Sequence, residues 1–154
     1  MTTVKYSVEV EDSGDTFWFN KDGKLHRDGG LPAIEYASGY KAWWVKGKLH
    51  REGGLPAIEY PDGSKEWWVN GKRHRDGGLP AREWSNDSKE WLVNGKLHRD
   101  GGLPAIEWAD GTKVWWVNGN LVTEEEAKRL AGIPCNPENS TVEINGKRYR
   151  LIPT

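Results

Sequence analysis

The chain has 154 residues, with 22 lysines and arginines against 23 aspartates and glutamates. This near balance of charge argues against an overall electrostatic grip on nucleic acid or on an anionic membrane, which needs a basic excess or a basic face. Apolar residues make up only 36% of the chain, yet ten of its residues are tryptophans. These few large aromatic side chains must supply much of the buried area, at roughly 150–250 Å² each.

The sequence shows no targeting or membrane signal. No run approaches about 18 apolar residues, so we predict no transmembrane helix. Met1 to Asp15 lacks the basic and apolar regions of a signal peptide. The single cysteine, Cys135, fits a reducing compartment, and we expect a cytoplasmic location. We interpret Cys135 as a small apolar loop residue, since no matched base lies near it in sequence; a nucleophile is the alternative.

The N-terminal segment is predicted to be a strand. Apolar and polar residues alternate from Val4 to Val10, a pattern typical of a half-buried strand. We assign residues 1–16 to an N-terminal strand or cap.

A 24-residue period dominates residues 17–122. One unit reads H-R-[DE]-G-G-L-P-A-x-E-[YW], a short turn, and K-x-W-[WL]-V-[NK]-G-K. The period carries a histidine and a tryptophan in each unit: His26, His50, His74 and His98, with Trp43, Trp67, Trp91 and Trp115. Because repeats of this kind stack on their neighbours, the sequence predicts an all-β, elongated, twisted antiparallel sheet of four tandem β-hairpin repeats.

Each repeat contains two turn signals. The first lies at Ser38-Gly39 and its copies, and the second lies at Lys46-Gly47 and its copies. Asn-Gly and Asp-Gly pairs at most of these positions favour two-residue type I′ turns. The first unit has one extra residue between Phe17 and Gly23, which predicts a bulge or a three-residue turn.

Two-residue turns would fix the register of the strands. Ile34 would face Trp43, and Trp43 would face His50, which places all three on one face. We assign this face to the core because it is richer in apolar atoms. The opposite face then becomes the candidate binding surface, with six residues from successive units: Trp44, Trp68, Trp116, Arg51, Arg75 and Arg99.

The same register makes two further predictions. Arg75 should pair with Glu66, and Arg99 with Glu90, across neighbouring strands.

The row of tryptophans on the candidate binding surface could stack on bases or sugars. We favour the alternative that the curl of the sheet, a second copy of the chain or a protein partner covers it.

The array ends after Val122, and residues 123–154 are predicted to form a helix and a hairpin. Thr123 and Glu126 make a capping-box pair for a helix over residues 124–131, which Gly132 and Pro134 would end.

A last hairpin, Thr141 to Ile152, should turn at Asn145-Gly146. We interpret this tail as a cap over the open edge of the array, with a functional module as the alternative.

These units resemble MORN-type repeats, and most closely a divergent group with H-R-x-D-G-P-A-like units. The likeness covers residues 17–122. It departs from the usual pattern in having Trp-Trp-Val-Asn-Gly where a Tyr-x-Gly core is common, and in a longer Gly-Gly-Leu-Pro link. The resemblance implies stacked hairpins and a scaffold role, with lipid binding suggested for some members. The divergent group resembles proteins of bacteriophages, large DNA viruses and bacteria. The resemblance therefore implies a further function, that of a phage-encoded inhibitor of a bacterial defence enzyme.

The histidine column invites a zinc interpretation, but its spacing disfavours one. Equivalent histidines should lie roughly 10–14 Å apart, whereas ligand nitrogens lie about 2.0–2.1 Å from zinc. We expect each histidine to pack on its cross-strand tryptophan, with one ring nitrogen bonded to the loop backbone. A catalytic triad would break the repeat at one place, and none does. We therefore expect no metal, no cofactor and no catalytic residues.

Three functions stay open at this point. The leading one is a non-enzymatic module that binds a protein partner. The second is a binder or sponge for a small ligand such as a nucleotide, held by arginine and tryptophan from adjacent units. The third is a self-assembling scaffold, of which a homodimer would be the simplest form. Nucleic acid is not an expected partner.

Overall fold

The computed structural model describes residues 6–133 and, as backbone, two further strands at 141–144 and 147–150. Short β-strands dominate this part of the chain, so the predicted all-β array of hairpins is confirmed. No helix in residues 6–133 is both long enough and apolar enough to cross a bilayer. The predictions for Val4, Pro134, Cys135 and the Asn145-Gly146 turn lie outside the described residues.

The described residues form a succession of short β-strands and one helix. In chain order they are β1 (Ser7–Val10), β2 (Thr16–Phe19), β3 (Ile34–Glu35), β4 (Lys41–Ala42), β5 (Trp44–Val45), β6 (Lys48–Leu49), β7 (Ile58–Glu59), β8 (Lys65–Glu66), β9 (Trp68–Val69), β10 (Lys72–Arg73), β11 (Arg82–Glu83), β12 (Lys89–Glu90), β13 (Leu92–Val93), β14 (Lys96–Leu97), β15 (Ile106–Glu107), β16 (Lys113–Val117), β17 (Asn120–Val122), α1 (Glu124–Leu130), β18 (Thr141–Ile144) and β19 (Lys147–Arg150).

Each repeat contributes two hairpins to two separate rows. The first hairpin of each repeat joins its neighbours in a long antiparallel sheet, which has eleven strands among the described residues and runs β1-β2-β3-β4-β7-β8-β11-β12-β15-β16-β17. The second hairpins β5–β6, β9–β10 and β13–β14 form separate two-stranded sheets, whereas in the last repeat β16 and β17 continue the long sheet. Backbone hydrogen bonds join successive repeats, as where the Gly71 N–H donates to the Leu49 carbonyl at 2.9 Å.

The first turn of each repeat is a three-residue loop, so the prediction of a two-residue type I′ turn is wrong. The Tyr36 N–H donates to the Tyr40 carbonyl at 2.9 Å, and the Gly39 N–H donates to the Tyr36 carbonyl at 2.8 Å. Gly39 alone in this loop takes a positive φ, of 95°. This is a type I turn followed by one left-handed residue, the usual form of a three-residue hairpin loop.

The second turn is the predicted type I′ turn. Lys46 and Gly47 have φ angles of 49° and 79°, and both central residues of this turn type need positive φ. The predicted register here is confirmed, because Trp44 pairs with Leu49.

The longer first loop shifts the register of the first hairpin by one residue. Ile34 pairs with Ala42, and not with Trp43 as predicted. A one-residue shift exchanges the two faces of a strand, so the predicted core face is only partly right: Ile34 and Trp43 are buried as predicted, whereas His50 is half-buried. Ile34, Ala42 and Ile58 form the buried cluster.

The core therefore lies between the long sheet and the row of second hairpins. Trp44, Leu49 and Trp68 of the second hairpins pack against the buried cluster of the sheet. The row that the sequence placed on an open face is consequently half-buried at Trp44, Trp68 and Trp116 and buried at Leu92.

The N-terminal segment is a further copy of the first hairpin. The Glu11 N–H donates to the Asp15 carbonyl at 3.0 Å, and the Gly14 N–H donates to the Glu11 carbonyl at 2.9 Å, as in the other copies. The predicted three-residue turn between Phe17 and Gly23 is confirmed, since the Asn20 N–H donates to the Lys24 carbonyl at 2.9 Å. That extra residue changes the spacing, which hides this copy from a search at period 24.

The helix begins as predicted. The Thr123 hydroxyl accepts a hydrogen bond from the Glu126 N–H at 3.1 Å, and the helix ends at Leu130 with Ala131 as its C-cap. Ala127, the residue of α1 that is buried, faces the end of the array and is 2% exposed. The two final strands pair antiparallel, with Ile144 opposite Lys147.

Candidate functional site

A tryptophan, an arginine and a glutamate connect each Gly-Gly loop to the next one along the chain. In one repeat the Trp67 Nε1–H donates to the Gly54 carbonyl at 2.9 Å. The guanidinium carbon of Arg75 lies 3.6 Å from the centre of the Trp67 ring. Arg75 Nη1 also donates to Glu83 Oε1 at 2.8 Å and to the Pro80 carbonyl at 3.2 Å. The repeated arginines are therefore engaged by the framework.

The predicted ion pairs are wrong because the second hairpin ends where His74 bonds to Trp67, and Glu66 belongs instead to the long sheet, opposite Ile58 and Arg82. Arg75 pairs with Glu83, and Arg99 pairs with Glu107 at 2.8 Å. The motif recurs along the array, as Arg27 with Glu35 and Trp18, Arg51 with Glu59 and Trp43, and Arg99 with Glu107 and Trp91.

Each histidine ring bridges two successive second hairpins, which confirms the predicted bond to the loop backbone. His50 Nδ1 accepts a hydrogen bond from the Asn70 N–H at 3.3 Å, and its Nε2 lies 2.8 Å from Glu52 Oε1. An accepting Nδ1 places the proton of the neutral ring on Nε2, which then donates to the carboxylate. His26, His74 and His98 make equivalent pairs of contacts.

Both ring nitrogens of these histidines are thus used to hold the repeats together. Within residues 6–133, no three His, Cys, Asp or Glu side chains come together as a candidate metal site.

A row of matching clefts lies between successive His-Arg loops. We number them along the chain: the first cleft lies between the loops that begin at His26 and His50, the second between those at His50 and His74, and the third between those at His74 and His98. Their volumes are about 330, 290 and 190 Å³. We call these three the cleft row.

The clefts have an aromatic and aliphatic lining. Trp67, Trp68 and Val69 line the second cleft, together with Leu55 and Leu79 from the two flanking loops. The first cleft has the same lining 24 residues earlier, and in the third cleft Leu92 replaces the second tryptophan.

The rim of the cleft row is apolar and acidic. The leucines of the Gly-Gly-Leu-Pro links are about half exposed, at 49%, 51%, 50% and 48% for Leu31, Leu55, Leu79 and Leu103. The carboxylates beside the histidines are more exposed, at 64%, 90%, 93% and 92% for Asp28, Glu52, Asp76 and Asp100. Because the nearby arginines are paired with glutamates, each repeat presents one carboxylate that no arginine neutralises in this part of the structure.

The helix α1 covers the fourth cleft. This cleft, which follows His98, has only about 100 Å³ left and is lined by Ala127, Leu130 and Ala131 of the tail. The helix passes so close to the loop that a Cβ added at Gly102 would lie 2.9 Å from Lys128 Cα. The array therefore covers one of its own clefts with apolar side chains of its tail.

The structure brings together part of the predicted binding set. Arg51, Trp68 and Arg75 share the second cleft, and Trp44 joins Arg51 in the first. Trp116 lies elsewhere, on another cleft described below. The sequence reasoning missed the leucines and carboxylates of the rim, although each occupies a fixed position of the repeat.

One repeat replaces part of the apolar core with a buried ionic network. Glu66 is 1% exposed. Its carboxylate accepts hydrogen bonds from the Tyr60 hydroxyl at 3.1 Å, Trp68 Nε1 at 2.8 Å and Arg73 Nε at 3.0 Å, and it lies 3.3 Å from Arg82 Nε. One repeat earlier the same positions hold apolar residues: Ala42, Leu49 and Ile58.

Glu90 is the copy of Glu66 in the next repeat, but its surroundings offer few donors. The positions of Arg73 and Arg82 become Leu97 and Ile106 there. Burial raises the pKa of Glu90, while the charges of Arg82 and Arg73 oppose that shift.

Glu90, Arg73, Arg82 and Trp116 line an open cleft of about 670 Å³, which we call the polar cleft. The Nε1–H of Trp116 is buried and finds no hydrogen-bond acceptor among the described residues.

Comparison with protein families, with characterised proteins and with solved structures gives no match.

Proposed function

We propose that this chain is a non-enzymatic binding module for a protein partner, and that the cleft row is its interface. The observation that carries this proposal is the repetition of one apolar, leucine-rimmed cleft at three successive repeat junctions. Interfaces use buried aromatic and apolar pockets as anchors within a polar rim. Three such pockets on one rigid array add their contributions when a single partner spans them.

The chemistry of the cleft row favours binding over catalysis. The imidazole nitrogens of His50 and His74 and the guanidinium of Arg75 are engaged by the framework. The exposed groups at the rim are leucine methyls and carboxylates. These groups suit an apolar and basic partner.

The resemblance to MORN-type repeats of phage and bacterial proteins directs the search for that partner to bacterial proteins. We keep inhibition of a bacterial defence enzyme as the specific form of the proposal.

A photo-cross-linking amino acid tests the interface directly. It replaces Leu79, which lines the cleft row, or Leu103, which holds the same repeat position next to the covered fourth cleft. The two leucines are equally exposed, at 50% and 48%. We expect a discrete protein adduct from bacterial lysate at position 79 and none at position 103. Equal labelling at both positions, or none at either, would overturn the proposal.

The polar cleft supports a second candidate function, the binding of a small ligand. Its supporting observation is the buried Trp116 Nε1–H without an acceptor, in a cleft that also holds Arg73 and Arg82. A ligand that binds the folded state raises the melting temperature. A thermal-shift screen of linear and cyclic nucleotides tests this function, and Trp116→Phe removes the donor while keeping a ring. No shift with any nucleotide, or equal shifts in Trp116→Phe, would exclude this use of the cleft.

A further inference from the structure

We infer that the segment held by the cleft row is a basic polyproline II helix, with an apolar side chain at every third residue. This inference rests on the proposed function and specifies the conformation and chemistry of the partner segment.

The spacing of the clefts is set by the sheet. Each repeat adds two strands to the long sheet, as β7 and β8 follow β3 and β4. Neighbouring strands lie about 4.7–4.9 Å apart, so equivalent points recur roughly every 9.4–9.8 Å. A polyproline II helix has three residues per turn and rises about 3.1 Å per residue, so its equivalent side chains recur about every 9.3 Å. One turn of the ligand therefore matches one repeat.

Other regular conformations match the spacing less well. In a β-strand three residues span about 10 Å, but side chains three apart point to opposite faces. In an α-helix the nearest equivalent side chains are seven residues apart, about 10.5 Å, and each further step adds about 1 Å of mismatch. Helix α1 occupies only the fourth cleft.

The lining of the clefts suits such a ligand. Aromatic-lined grooves take the apolar side chains of proline-rich segments, whose preformed conformation lowers the entropy lost on binding. In the second cleft, Trp67 and Trp68 provide aromatic surface between Leu55 and Leu79. Ala127 in the fourth cleft, 2% exposed, shows that small apolar side chains fill this position.

The charge of the rim selects a basic segment. Asp28, Glu52 and Asp76 recur with the clefts, and their side chains are 64%, 90% and 93% exposed. The nearest cations, such as Arg51, are already paired with framework glutamates. A lysine or arginine in each turn of the ligand would therefore lie opposite one carboxylate in each repeat.

Calorimetry with synthetic peptides tests this inference on the full chain. The probe is Pro-Pro-Arg repeated four times. One control peptide has the same composition with its arginines at irregular spacing, a second is Pro-Pro-Glu repeated four times, and a third is a basic helix with a heptad of leucines. We expect the regular basic peptide to bind at one per chain, and each control to bind at least about tenfold more weakly.

Two matched variants localise the binding. Leu79→Lys places a charge in the second cleft and should weaken binding at least about tenfold. Leu103→Lys introduces the same charge beside the covered cleft and should change affinity less than about twofold. Circular dichroism verifies that each variant is folded.

The outcomes separate this inference from the proposed function. Equal binding of the irregular peptide would contradict the match between one ligand turn and one repeat. Preference for the peptide with the leucine heptad would contradict the polyproline II conformation. A position-79 adduct without binding of any proline peptide would overturn the inference while leaving the proposed function supported. Absence of both would overturn both.

Discussion

The guanidinium carbon of Arg75 lies over the indole of Trp67, 3.6 Å from the ring centre. The same arginine donates to Glu83 of its own repeat at 2.8 Å, whereas Trp67 belongs to the preceding repeat. This pair therefore connects the tryptophan of one hairpin, the Gly-Gly loop and the next strand of the sheet. It recurs along the array as a polar link between repeats.

Removing this link should destabilise the fold. Arg75→Ala loses a cation–π contact of about 0.5–2 kcal/mol and a charged hydrogen bond of about 1.5–3 kcal/mol. We expect the free energy of unfolding in urea to fall by about 2–3 kcal/mol. Arg129→Ala is the control, because that side chain is 70% exposed and should change stability by less than about 0.5 kcal/mol. Equal losses in the two variants would contradict the assigned role.

Replacing the whole buried network around Glu66 with apolar residues should preserve stability, whereas removing Glu66 alone should lower it. Glu66→Ala leaves Arg73 and Arg82 without their buried partner and should cost about 3–5 kcal/mol. A triple variant that installs the residues of the preceding repeat should be as stable as the native chain or more so. Its substitutions are Glu66→Ala, Arg73→Leu and Arg82→Ile. Urea denaturation compares the variants, and a triple variant as unstable as the single one would refute this interpretation of the core.

Glu90 should give stability a specific pH dependence. Burial raises its pKa above the ordinary value of 4.5, so the folded state holds this proton more tightly than the unfolded state. Its favourable contribution is complete below 4.5 and is lost as the pH rises through the raised pKa. Glu90→Gln does not titrate. The native chain should therefore lose stability relative to Glu90→Gln as the pH rises from about 4 towards 7, and a constant difference would be inconsistent with a raised pKa.

Gly102 should report on the docking of the helix. Gly102 and Gly78 hold the same repeat position with φ angles of 65° and 68°, so alanine costs about 1 kcal/mol of backbone strain at either. Only at residue 102 would the new Cβ meet the helix, since a Cβ at Gly78 has no heavy atom within 4 Å. Gly102→Ala should speed hydrogen exchange across residues 124–131, and Gly78→Ala should leave it unchanged. Similar exchange in the two variants would mean that the helix does not depend on this contact.

The sequence was sufficient to predict the hairpin repeat and the type of one of its two turns. Positive φ at both Lys46 and Gly47 follows from the turn chemistry, and the register of the second hairpin followed from it. Ser38-Gly39 fits a two-residue turn or the end of a three-residue loop equally well. The structure contains the longer loop, and that one residue places Ala42 opposite Ile34 in place of Trp43.

A different feature limited how much of the candidate site could be predicted. The arginine and tryptophan columns were visible as repeated positions, but the point at which the second hairpin's pairing stops was not, so Glu83 was missed as the partner of Arg75. The rim was missed for another reason. A leucine repeated in every unit, such as Leu79, normally indicates a core position, whereas here the loop leaves it half exposed.

The most direct test of the cleft row as an interface is the affinity of one cross-linked partner for two variants, Leu79→Lys and Leu103→Lys. Both place a lysine at the same position of the repeat, but only residue 79 lines an open cleft. Biolayer interferometry should show that Leu79→Lys weakens binding by at least about tenfold, while Leu103→Lys stays within about twofold of the native chain. Equal affinity of the two variants would contradict the cleft row as the binding surface.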